Sequence, residues 1–65
     1  MDKLLERDRV AEMLCVPAST LANWASEGKG PAFFKVGRHA RYREADVLAW
    51  LEGQRRTPEA GDRHR

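Results

Sequence analysis

A chain of 65 residues, 42% hydrophobic and 34% charged, is enough for one small globular domain, but not for a core and a roomy active-site cavity together. Its apolar runs span only a few residues, so no membrane-crossing helix fits, and no basic segment leads into an apolar one as in a secretory signal. The lone cysteine, Cys15, allows no internal disulfide and predicts a reducing compartment, the cytoplasm.

The net charge is only +2, but its signs are segregated along the chain. Residues 1–28 carry a net −2, and residues 44–54 carry −3. Between them, residues 29–43 hold Lys29, Lys35, Arg38, Arg41 and Arg43 with no acid, for +5. Two readings of this island stand side by side. It suits a polyanion, which responds to local field more than to net charge, and it equally suits a hairpin kept soluble by basic side chains.

The first predicted element is a short helix over residues 7–14, with Val10, Ala11, Met13 and Leu14 at helical spacing and Asp8 near its positive end. Leu4 and Leu5 precede it, placed to pack back on the first turn as a hydrophobic staple. Cys15-Val16-Pro17 ends it, because a residue before proline disfavours helical geometry.

A second helix is predicted over 18–27. Pro17 loses no hydrogen bond at its start. Ala18, Leu21, Trp24 and Ala25 form one apolar stripe, while Ser19, Asn23 and Ser26 gather on the opposite side. Gly28 suits the C-terminal end, and Gly28-Lys29-Gly30-Pro31 must be loop.

Two strands are predicted next, residues 33–36 and 39–43, joined through Gly37-Arg38 in a type II′ turn. Alternation sets Ala40 and Tyr42 on one face, and His39, Arg41 and Arg43 on the other. A third helix over 44–53 carries Val47, Leu48, Trp50 and Leu51 as its apolar stripe, with Glu44 and Asp46 at its start. Domain 1–54 then gives way to a basic tail, 55–65, with Pro58, Gly61 and no large apolar residue, for which disorder is expected. One core joining Leu21, Trp24, Tyr42, Val47, Trp50 and Leu51 is expected, with Phe33 the aromatic left partly exposed.

The order helix-helix-hairpin-helix is mainly α with a β-hairpin wing: a small winged helix-turn-helix. Ser19, Asn23 and Ser26 are short donors and acceptors on a helix that fits the major groove of DNA, although a polar face turned to water looks the same. Lys35, Arg38, His39, Arg41 and Arg43 can neutralise phosphates, with Arg38 at the wing tip positioned for a minor groove. Arg43 has a competing local option in Glu44 or Asp46. Catalysis finds no support. Cys15 has no neighbouring base and reads as a small buried hydrophobe. Cys15, His39 and His64 lack zinc-ligand spacing, and no phosphate loop or carboxylate pair is present. No enzyme activity, cofactor or metal is expected.

Thr20-Leu21-x-x-Trp24, Val36-Gly37-Arg38 and Asp46-Val47-x-x-Trp50-Leu51, set among Leu4-Leu5, Ala11, Leu14, Val16, Gly28, Pro31 and Arg41-Tyr42-Arg43, resemble the excisionase family over residues 4–52. These recombination directionality factors have a MerR-like winged-helix domain. The resemblance implies a phage or mobile-element protein in a bacterial cytoplasm. It would bind double-stranded DNA with its second helix in the major groove and its wing in the minor groove. Members bend attachment-site DNA, load side by side, and help an integrase excise the element. The implied partners are therefore DNA, an integrase and neighbouring copies of the chain, with no membrane.

The chain departs from the family pattern at three places. Cys15 stands where a turn glycine is usual, Pro17 replaces a serine N-cap, and Ala22-Asn23 replaces an aromatic and an arginine. A small winged-helix transcription regulator is the alternative function. MerR-type regulators dimerise through a long C-terminal helix, whereas here a break is expected at Gly53.

Overall fold

The computed structural model describes residues 3–58. Its elements in chain order are β1 (Leu4–Glu6), α1 (Arg7–Leu14), α2 (Ala18–Ser26), β2 (Phe34–Val36), β3 (His39–Arg43) and α3 (Glu44–Gly53). The strands form one antiparallel sheet in the order β1-β3-β2. This is a small winged helix-turn-helix.

The turn between α1 and α2 is closed by backbone geometry. Cys15 adopts φ 59° and ψ 40°, the left-handed conformation. Its N–H donates to the Glu12 carbonyl at 3.2 Å, and the Val16 N–H donates to the Ala11 carbonyl at 3.0 Å. That paired pattern is the Schellman closure, normally built on glycine. Cys15 thus performs the glycine's task with a β-carbon present, at a cost of roughly 1–2 kcal/mol. Its side chain is exposed off the end of α1, not buried as expected.

The same closure ends α2. Gly28, at φ 74°, donates to the Ala25 carbonyl at 3.3 Å, and Lys29 donates to the Trp24 carbonyl at 2.7 Å. The helix stops at Ser26, with Glu27 as its cap, one residue short of the expected end. Gly30 follows at φ 83°, pressed against the Trp24 side chain, so the loop leaving α2 is held to the back of that helix.

The expected staple is a strand. Leu4, Leu5 and Glu6 pair with Arg43, Tyr42 and Arg41. Leu5 still turns inward and packs on the core that contains Val10, so it does the staple's packing from within a sheet. On the other side of β3, Phe34, Lys35 and Val36 pair with Arg41, Ala40 and His39. Val36 and His39 face each other across a two-residue loop, and Gly37 has φ 64°, as a type II′ turn requires.

The core consists of Val10, Ala11, Leu21, Tyr42 and Val47, one or two residues from each of α1, α2, β3 and α3. Trp24 packs on it half-buried and meets Trp50 with ring centroids 5.3 Å apart. The expected single core is therefore smaller than its apolar stripes suggested. Leu51 is 46% exposed and Leu48 50% exposed, because within α3 only Val47 is fully covered. Phe33 is partly exposed as expected, but so is Phe34, which β2 turns outward. Residues 55–58 carry no regular structure, and the remainder of the expected tail, 59–65, lies outside the described residues.

Two substitutions check this account of the turns. Cys15→Gly should stabilise the fold by about 1 kcal/mol through relief of left-handed strain, raising the thermal midpoint by about 4–8 °C in circular dichroism. Gly28 and Gly30 both have positive φ, but only at Gly30 would a β-carbon meet Trp24, at 3.1 and 3.2 Å, whereas Gly28 faces open space. Gly30→Ala should therefore lose about 1–3 kcal/mol more than Gly28→Ala in urea unfolding. Equal losses would mean that the Trp24 contact does not hold the loop.

Candidate nucleic-acid interface

The sequence of α2, Ala18 to Ser26, contains no charged residue. Its inner side is committed to packing: Leu21 is buried, and Ala18 and Trp24 pack against the core. Ser19, Asn23 and Ser26 are all exposed, as one outward polar face. Such a face offers hydrogen bonds and no field of its own. Attraction for a polyanion has to come from neighbouring elements.

The wing supplies it, and the sheet register divides its cations between two faces. Tyr42 points into the core, so its neighbours Arg41 and Arg43 point outward, and His39 lies on the same outer side. Residues paired directly across share a face, which places Leu4, Glu6, Phe34 and Val36 there too. Lys35 pairs with Ala40 and lies on the inner side. There it joins Arg38, Ser26, Ala25 and Phe33 around a cleft of about 250 Å³ between the end of α2 and the wing. The structure thus gathers Ser26, Lys35 and Arg38 in one place and sets His39, Arg41 and Arg43 on the opposite sheet face.

These cations are not consumed internally. Ion pairs among the described residues join Arg9 to Glu12, Lys29 to Glu27 and Arg55 to Glu52. Of the acid-free span, only Lys29 is engaged by an acid among the described residues. Arg43 pairs with neither Glu44 nor Asp46; its guanidinium sits 5.1 Å from the Phe34 ring centroid. Arg41 is half-buried and donates to the Ala40 carbonyl at 2.9 Å. Arg38 stands exposed at the turn beside Gly37.

One cation at this surface escapes sequence reasoning. Arg7 opens α1, within the acidic part of the chain, yet it lines the same cleft as Ser26, Lys35 and Arg38. Its Nε donates to the Tyr42 hydroxyl at 3.3 Å, a partner 35 residues away. No local pattern announces a contact of that separation.

An exposed polar helix, a three-residue turn behind it and a basic wing beside it together make the arrangement of a DNA-binding helix-turn-helix. Residues 4–55 match the family model of a helix-turn-helix domain. The chain belongs to this helix-turn-helix family. It is a DNA-binding family that includes excisionase-like proteins, and its domains are typically not catalytic. Among curated proteins and among solved structures, nothing matches the chain. No helix among the described residues is long and apolar enough to cross a membrane.

In a helix-turn-helix with a neutral second helix, the wing should carry the salt dependence. Arg38→Ala and Arg41→Ala are each expected to weaken binding to every DNA sequence and to reduce the slope of log affinity against log salt by about 0.9, one phosphate's worth. Titrations at several salt concentrations read this directly. Slopes unchanged in both variants would show the wing to be only a solvated face.

Proposed function

We propose that the protein is a DNA-bending excisionase, a recombination directionality factor of a phage or mobile element. It binds attachment-site DNA with Ser19, Asn23 and Ser26 of α2 in the major groove. Lys35, Arg38, His39, Arg41 and Arg43 of the wing engage the backbone and the adjacent minor groove. The observation that carries the DNA-binding part is the pairing of an uncharged polar helix with wing arginines that no acid among the described residues neutralises. The combined spacing of Thr20-Leu21-x-x-Trp24, Val36-Gly37-Arg38 and Asp46-Val47-x-x-Trp50-Leu51 supports the narrower reading, because it resembles the excisionases.

One helix and one wing cover few base pairs, and single modules bury only about 600–1,000 Å² on DNA. Specificity in this reading comes from several copies loaded side by side. An arginine in a minor groove favours narrowed or bent DNA, and units repeated in phase accumulate curvature. Curvature brings integrase-bound arms together without any chemistry by this chain. The uncovered apolar side of α3, with Leu48 and Leu51 about half exposed, supports a protein partner such as integrase or a neighbouring copy. Arg55 and Arg56 follow directly, and the tail they begin is assigned to partner recruitment.

Circular-permutation gel shifts, with excision and integration assays using purified integrase, test bending and directionality together. Bent DNA, faster excision and slower integration are expected, and truncation after Gln54 should spare single-site binding while impairing excision. Unbent DNA with no change in either reaction, alongside repression of a promoter, would assign the chain to the transcription regulators instead.

A further inference from the structure

We propose that the cleft between the end of α2 and the inner face of the wing is a seat for one DNA backbone phosphate, with Arg7 as its principal ligand. The inference rests on the DNA-binding reading above and adds a contact from outside the helix and the wing. If α2 lies in the major groove and the wing tip in the adjacent minor groove, the strand separating those grooves must cross the corner between them. That corner is this cleft. Its polar lining is Arg7, Ser26, Lys35 and Arg38: three cations and a hydroxyl, with no carboxylate.

Arg7 is prepared for the task. Its Nε is occupied by the Tyr42 hydroxyl at 3.3 Å, which leaves both terminal amino groups free for end-on, bidentate contact with phosphate oxygens. The Phe33 ring, 5.9 Å from the guanidinium carbon, supports the group on one side. Tyr42 is 1% exposed and fixed in the core, and the Phe33 ring packs on it with centroids 5.7 Å apart. A half-buried arginine held in this way has little rotamer freedom left to lose on binding. No acid among the described residues forms an ion pair with it.

Fluorescence-anisotropy titrations of the full chain on a mixed-sequence 20-base-pair duplex (a length of about two helical turns), at several salt concentrations, test the assignment. Arg7→Gln should weaken binding roughly tenfold and flatten the salt slope by about 0.9. Arg7→Lys should keep the slope but bind more weakly than wild type, since an ammonium cannot reproduce the fork. A purely structural Arg7 would alter thermal stability and leave the slope unchanged. Should Arg7→Gln not fold, nitrogen-15 NMR of the wild-type arginine side chains decides. Slowed rotation of the Arg7 terminal amino groups on adding duplex supports the seat, and unaltered rotation overturns it. Normal DNA binding with an unchanged Arg7→Gln slope overturns this inference alone, whereas absence of duplex binding by wild type removes the DNA-binding reading with it.

Discussion

The burial of Tyr42 is the constraint on which the rest of the domain depends. Its ring completes a core drawn from α1, α2 and α3, and its backbone lies in β3, the central strand of the sheet. A tyrosine hydroxyl removed from water needs a partner, and Arg7 provides one. One side chain therefore fixes the wing against the helix pair and turns an arginine toward the cleft. Among side chains that are not exposed, no buried polar atom lacks a partner within the described residues, so this economy leaves no unsatisfied group behind.

Hydrogen-bonding capacity and charge are housed in separate elements. The second helix has polar, uncharged contacts to offer, and the wing and Arg7 have charge. Their relative placement is set by Gly28, which ends the helix, and by Gly30, whose lack of a side chain lets the loop lie on Trp24. Trp24 in turn meets Trp50 of α3. The loop geometry thus governs where the charge stands relative to the polar face. Against this, α3 is only lightly committed: Val47 is its one buried residue, and most of its other side chains stay exposed.

The helices were legible because each rule that marks them is local. Apolar spacing of three and four, Pro17 at a start and Gly28 after an end locate α1, α2 and α3 to within a residue. The hairpin was legible for the same reason, through Gly37 and the alternation of β3. What escaped reading depends on distant partners. Leu4 to Glu6 is too short to show a period, and only the far strand makes it a strand. Arg7 looked like one charge among acids until the fold brought Tyr42 to it. Leu51 reads as core and Leu48 as part of its stripe, yet both stay about half exposed, because an apolar stripe records what could be buried, while the area of the docking partner decides what is. Cys15 departs from the glycine usual at that place, but only the structure shows its left-handed backbone.

The sheet order carries a consequence for how the molecule comes into being. Leu4 pairs with Arg43 and Leu5 with Tyr42, so the earliest strand made must wait for one of the latest. The two helices between them can meet through local contacts alone, but the loop entropy of joining the sheet has to be met before its hydrogen bonds form. During synthesis the helix pair can be outlined while the wing still lies within the ribosome. Until residue 43 has emerged, Tyr42 has no strand to sit in, and Arg7 has no hydroxyl to orient it.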